Sequence, residues 1–183
     1  MSREDNVQVF DDTMYLCEKE EVLKQAIWAS IAAQKFYREG EYIPGEIVHR
    51  NEPAKVIVSK KRSFEAASAY PGKKVMVHNF ASASNPGGGV IHGASAQEEA
   101  LCRCSTLYPC LITQEMWDEF YMPHRLQMDP LHNDDCIYTP NVVVIKTDTS
   151  EPKLMKAKDW YQVEDPNTGA VGFMHKQFLT KAN

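Results

Sequence analysis

Apolar residues along this chain switch between helical and alternating spacing, and the switches predict its elements. Over residues 18–38, Val22, Ala26, Ala29, Ala33 and Phe36 recur at helical spacing, with Leu23, Ile27 and Ile31 beside them. Glu18, Glu20 and Glu21 crowd the first turn, where negative charge suits the helix dipole, and Gly40 can end the helix. Two β-rich runs follow, Lys55-Val-Ile-Val-Ser and Lys74-Val-Met-Val-His-Asn, the second reading as a strand that enters a sheet. Residues 63–69 between them read as a short helical segment, and Tyr70-Pro-Gly-Lys as a turn.

Further along, Ser95 followed by Glu98 is a capping-box pattern that starts a helix at about Ala96. Leu101, Ser105 and Leu107 carry this helix onward and Pro109 closes it. Residues 114–121 predict another helix ending at Met122-Pro123, and residues 126–135, rich in Asp, His and Asn, predict a loop. Cys136-Ile-Tyr and Asn141-Val-Val-Val-Ile-Lys146 read as strands. Trp160-Tyr-Gln-Val163 and Val171-Gly-Phe-Met-His175 read as a β-hairpin around an Asp-Pro-Asn-Thr-Gly turn. Strands alternating with helices imply a mixed α/β layer fold.

Composition narrows the function classes. The 183 residues, 43% of them hydrophobic, suffice for one domain with a core, or one domain and a small appendage. Net charge is −5 and no segment gathers Lys or Arg into a stripe, which argues against duplex nucleic acid as a partner. A small phosphorylated ligand stays open, because backbone N–H groups bind anions without net positive charge. No run approaches the ~18 apolar residues of a spanning helix, and the polar start Met1-Ser-Arg-Glu-Asp-Asn is not a secretory signal. The five cysteines include Cys102, Cys104, Cys110 and Cys136, whose spacing lacks the paired Cys-x2-Cys of structural zinc sites. Reduced thiols, no metal and a cytoplasmic setting are the expectation.

Candidate chemistry gathers at Gly87-Gly88-Gly89 and Gln97-Glu98-Glu99. The glycine run leaves an apolar strand and enters a helix N-terminus, the place where α/β folds bind ligands. Its spacing, without a Gly-Lys pair, excludes a dinucleotide fingerprint and a phosphate-binding loop. Glu98 has a structural explanation as half of the capping box. Glu99 has none; about a hundred degrees further round the helix, it can face the glycine loop. Paired carboxylates beside a polar loop suit acid/base work at a glycosidic bond, and dipole compensation by surface acids is the alternative. Asn79 and Asn85 flank the loop with amides that suit ribose hydroxyls. His78 and His92 are near, yet no Gly-x-Ser-x-Gly elbow accompanies them, and a Cys102 or Cys104 nucleophile would need a partner His that the sequence does not identify.

The run Gly87-Gly88-Gly89, Val90 to Ala96, Gln97-Glu98-Glu99 resembles the signature of microbial-type poly(ADP-ribose) glycohydrolases. Asn79-Phe-Ala before it, Ala100-Leu-Cys-Arg-Cys-Ser-Thr-Leu-Tyr after it and Tyr138-Thr-Pro-Asn-Val-Val-Val are also similar, and the likeness runs from about Val22 to Val163. The resemblance implies a macrodomain-like three-layer α/β/α sandwich over residues 1–163. It also implies cleavage of ribose–ribose O-glycosidic bonds in poly(ADP-ribose), releasing ADP-ribose without metal or cofactor. Glu99 would be the catalytic acid and Glu98 would hold the ribose hydroxyls. Gly87 to Gly89 would pass the ribose and diphosphate, with Asn79, Asn85 and Gln97 completing the substrate site.

The chain departs from the family after Val163. A second glycine-rich loop, of the Gly-Ala-Phe-Gly-Asn type, does not follow. Residues 164–183 form a divergent tail with a β-hairpin, more like the end of a bacterial Src-homology-3-like module. The family member is thus expected to be shortened and its sheet incomplete, with exposed strand edges that invite self-association. The alternatives to the enzyme are a non-catalytic ADP-ribose-binding module and a degenerate family member. Oligomeric state is left open.

Overall fold

Ser2 opens the first helix by a reciprocal cap. Its hydroxyl accepts the Asp5 N–H at 3.1 Å while the Asp5 carboxylate accepts the Ser2 N–H at 2.7 Å. The helix, α1 (Arg3–Lys19), was not among the predicted elements. Its buried face is Asn6, Phe10, Thr13 and Cys17, and the two polar members hide the apolar period. The computed structural model describes residues 1–42, 52–155, 160–164 and 171–175.

The helix predicted over residues 18–38 is shorter. It is α2 (Glu21–Ala33), set off from α1 by an extended Glu20. Gly40 ends no helix, because residues 35–37 form β1 (Lys35–Tyr37) instead. β1 pairs antiparallel with β2 (Cys136–Tyr138), Phe36 standing opposite Ile137. That pairing delivers Phe36 to a small core of Met116, Phe120 and Tyr121, and tertiary packing overrides the helical spacing.

The segment predicted over 63–69 is α3 (Ser63–Ala67). The two β-rich runs on either side of it form no regular element and pair with no strand among the described residues. Val56, Val58 and Met76 are 85%, 92% and 82% exposed. Alternating apolar residues make a strand only when a neighbour supplies a ladder and a covered face.

The central helix is α4 (Gln97–Cys104), in which every residue from Glu98 onward is buried. It starts where the capping-box pattern placed it, but no side chain caps it; Ala96 is its N-cap. It also ends early. Ser105 turns extended and bridges to Val144, so Pro109 falls inside the next helix, α5 (Leu107–Leu111). Beyond it, α6 (Gln114–Met116), a π-helical turn (Trp117–Tyr121) and α7 (Met122–Gln127) run on without a break. Pro123, expected to stop the helix, sits at the start of α7. The wider π turn carries the chain past it, as π turns often do where a regular helix is interrupted.

Residues 141–146 are not a strand of a sheet. Past the turn at Asn141, they lie along the break after α4: Thr106 N–H donates to Val143 O at 2.9 Å and Ile145 N–H donates to Cys104 O at 2.7 Å. Val143 and Ile145 are thereby buried beside Cys17, Leu23, Ala26, Ile27 and Cys110. A second cluster joins Phe10 of α1 to Val90, Leu101, Cys102, Leu107 and Leu111. Each such aliphatic side chain contributes roughly 1.5–3 kcal/mol over its exposed state. The predicted hairpin is present as β3 (Trp160–Glu164) and β4 (Val171–His175), with Trp160 opposite His175. Its predicted turn over 165–169 lies outside the described residues. The mixed α/β class holds, with an incomplete sheet: two separate two-stranded ladders among the described residues.

Candidate active site

Three elements converge on the glycine loop. α1 supports it from one side, where Asn6 Nδ2 donates to Gly93 O at 2.9 Å in a buried contact. A Cβ on Gly93, whose φ is +73°, would stand 2.2 Å from the Arg3 carbonyl oxygen, so only glycine lets α1 come this close. Tyr108 of α5 rests against Gly87 and meets Phe10 edge-on, with ring centroids 4.9 Å apart. Between these supports the loop closes on itself: Gly88 N–H donates to Asn85 O at 2.9 Å and Ala94 N–H to Gly89 O at 3.1 Å. A tight 3-10 turn, Val90–His92, then leads toward α4.

The α4 N-terminus presents both carboxylates to that loop. Glu99 Oε1 accepts the Gly89 N–H at 2.9 Å, and its Oε2 is buried with no hydrogen-bond partner among the described residues. A Cβ on Gly88, at φ +60°, would lie 2.6 Å from Glu99 Oε1 and 3.2 Å from Glu98 Oε2. The bare backbone is therefore what lets the chain lie across both acids. Glu99 is only 7% exposed. The sequence expectation that it faces the glycine loop agrees with this geometry.

Glu98 is held differently from the capping role that its spacing suggests. Its Oε2 accepts the Ser82 N–H at 2.8 Å, and its Oε1 accepts the Asn79 amide at 3.4 Å. The cap fails because Glu98 reaches across to residues 79–82 rather than back to Ser95. Burial pushes its carboxyl above the ordinary carboxylate value, the Ser82 and Asn79 bonds oppose that rise, and the neighbouring Glu99 adds to it.

The remaining predicted residues separate into two groups. Asn79 stays at the carboxylates, with its Oδ1 buried and unpartnered among the described residues. Gln97 works as a clamp on the backbone. Its Oε1 accepts the Phe80 N–H at 2.8 Å, and its Nε2 donates to His78 O at 2.7 Å and Ser63 Oγ at 3.0 Å. It fixes the otherwise unpaired 78–80 segment beside the acids. Asn85 lies at the exposed rim, where Arg125 of α7 donates to its Oδ1 at 3.1 Å.

Two residues here were not singled out from sequence. Ser82 orders Glu98 through its own N–H, and its hydroxyl accepts the Asn85 N–H at 3.1 Å. Tyr121 is fully buried with its hydroxyl unpartnered, and burial together with the Glu98 charge drives its phenol well up. The Asn-Phe-Ala-Ser-Ala-Ser-Asn run, a polar stretch where chain must turn, was the available signal for Ser82. None pointed to Tyr121.

The cysteines stand apart from this chemistry. Cys17, Cys102, Cys104 and Cys110 are buried free thiols and Cys136 is an exposed one. Burial pushes Cys17, Cys104 and Cys110 up to about 12, so they stay protonated and poorly nucleophilic at neutral pH. Among the described residues no group of three or more His, Cys, Asp or Glu side chains is placed to hold a metal ion.

Residues 3–147 match the family described as "Microbial-type PARG, catalytic domain", and the chain belongs to that family. The sequence likeness was drawn from about Val22, whereas the family match takes in α1 as well. Among solved structures, the poly(ADP-ribose) glycohydrolase (PARG) of Thermomonospora curvata is similar at 26% identity and a TM-score of 0.67, over 82% of this chain and 61% of that one. A glutamate-to-alanine variant of the same enzyme gives 26% and 0.68 over 84% and 59%. Its complex with the inhibitor ADP-HPD, at 24% identity and 0.60 over 82% and 60%, shows the shared fold. This chain spans about three-fifths of the length of these structures. No curated protein matches it. Among the described residues no helix is long and apolar enough to cross a membrane.

Proposed function

We propose that the chain hydrolyses ribose–ribose O-glycosidic bonds of poly(ADP-ribose) and releases ADP-ribose, with Glu99 as general acid and base. One observation carries this reading. The Glu99 carboxylate is divided, one oxygen pinned by the Gly89 N–H and the other buried and unpartnered. A buried acceptor without a partner costs about 1–3 kcal/mol, and a ligand hydroxyl that donates to it there relieves the cost.

In the proposed sequence Glu99 donates its proton to the departing ribose oxygen as the glycosidic bond breaks, leaving an oxocarbenium-like ribose. The resulting carboxylate takes a proton from the water that forms the new C–O bond, and the acid is restored. Glu98, ordered by Ser82 and Asn79, faces the ribose hydroxyls, Gly87 to Gly89 line the ribose and diphosphate, and Asn85 edges the same site. Gln97 serves that site through the 78–80 backbone. Free, mostly buried thiols support a cytoplasmic setting.

The test is release of ADP-ribose from an automodified acceptor protein, followed by chromatography. Wild type is expected to release it, and Glu99→Gln to be about 10²–10⁴-fold slower while keeping its melting temperature. Equal release by the two proteins removes the assignment. Because the chain is shorter than the solved enzymes, the same samples are melted with and without ADP-ribose. A raised melting temperature without turnover would identify a binding module in place of the enzyme.

A further inference from the structure

A cavity of about 220 Å³ opens where α1, the turn before α4 and residues 149–152 meet, and its polar lining includes Asn6, Arg62, Ser95, Arg103 and Ser150. Neither the glycine triplet nor Asn79, Glu98 or Glu99 lines it. We propose that it binds a phosphoryl oxyanion, at a site separate from the glycine loop.

Arg103 makes the case. Side chains on a helix lean toward its N-terminus, and Arg103 runs back along α4 so that one terminal nitrogen donates to Ala94 O. The residue is 3% exposed, and its Nε is buried with no acceptor among the described residues. A buried guanidinium without a carboxylate partner is costly, and it leaves the cavity wall positively charged. Arg62 brings a second positive charge to the same cavity and makes the cost greater. The one ion pair of its guanidinium among the described residues, to Asp148 Oδ1, is loose at 3.9 Å. Asp148 is itself engaged through Oδ2 by the Phe64 N–H at 2.9 Å. The field of Glu99, one turn back on α4, also acts on Arg103, but no ion pair joins them among the described residues. Burial accordingly lowers the Arg103 guanidinium from its ordinary value.

Two guanidinium forks with hydroxyl donors beside them match a tetrahedral oxyanion, which accepts several charge-assisted bonds at once. The space is several times the roughly 30 Å³ that a water takes up in the liquid, enough for a phosphoryl group. Its source is either free phosphate or a phosphate of a longer nucleotide chain.

Inorganic phosphate titrated calorimetrically at constant ionic strength tests the site itself. Saturable binding is expected, at least about tenfold weaker in Arg62→Gln and no weaker in Glu99→Gln, which removes a negative charge that acts on Arg103. The Arg62 side chain is 45% exposed, so that variant is expected to fold. No saturable binding, equal affinity in Arg62→Gln, or loss of binding in Glu99→Gln would each overturn the proposal. A second arm, which rests on the function proposed above, compares poly(ADP-ribose) with ADP-ribose. Weaker binding of the polymer alone to Arg62→Gln assigns the site to a chain phosphate; unchanged polymer binding assigns it to free phosphate. The phosphate titration stands whether or not the protein cleaves the polymer.

Discussion

The glycine loop with α4 and the irregular runs around α3 carry similar apolar side chains and, apart from Val77, which packs on the core, end in opposite conditions. Val90 and Leu101 are 0% and 2% exposed, while Val56 and Val58 are 85% and 92% exposed. The first region is closed by α1, which brings Phe10 and the Asn6 amide to it from about ninety residues away in sequence. The second has no ladder partner among the described residues. Gln97 stands in for one at residues 78–80, accepting one backbone N–H and donating to one carbonyl. Order in this protein follows the supply of partners, and apolar content alone does not create it.

Substitutions can break or sharpen that contrast. The largest effect is expected from Gly93→Ala, whose Cβ would stand 2.2 Å from the Arg3 carbonyl oxygen at a left-handed φ. A loss of about 3 kcal/mol or more should appear in denaturant unfolding; a loss below about 1 kcal/mol would mean that α1 can simply move away. Gly88→Ala comes next. Its Cβ meets Glu99 Oε1 at 2.6 Å, and a carboxylate displaced by that contact should slow ADP-ribose release about 10²-fold. Gly40→Ala is the control, having φ +73° but nothing within 4 Å, and it should leave the rate unchanged.

A smaller effect depends on pH. Burial raises Glu98 above its ordinary value of 4.5, so the folded protein keeps this proton after the unfolded chain has released it. Stability from this group is complete below that ordinary value and is lost as pH rises through the folded one. Glu98→Gln should flatten this part of the stability–pH curve, and an unchanged slope would show that the carboxyl titrates normally. The smallest change is expected from Val58→Thr, within about 0.5 kcal/mol of wild type. A loss above 1 kcal/mol would show that the segment is covered in solution, and the contrast would fail.

The geometry of the candidate site was more legible in the sequence than the frame around it. Glu99 could be placed because the offset of one residue on a helix fixes its direction, and the glycines because close approach demands them. Glu98 was misplaced at the helix cap, since spacing cannot show that Ser82 and Asn79 compete for its oxygens. α1 was missed because Asn6 and Thr13 share its buried face. Thr13 Oγ1 donates to Arg103 O at 2.6 Å, a contact that no local pattern announces. Its Ser2-x-x-Asp5 cap was nevertheless written in the sequence. The apolar run over 141–146 looked like a strand because Val143 and Ile145 are buried, and what it pairs with is the end of a helix on one side and residues 153–155 on the other.

The π turn has a consequence beyond carrying the chain past Pro123. Its Met122 N–H reaches back five residues to Trp117 O, so the turn holds one residue more than a regular coil. That extra residue rotates all that follows by about a hundred degrees. His124 is thereby swung into the protein, where its Nδ1–H donates to Phe120 O at 2.7 Å and its Nε2 meets the Asn133 side chain at 2.8 Å. Excising a single residue there would straighten the rod and unhook the imidazole that ties down the crossing toward β2.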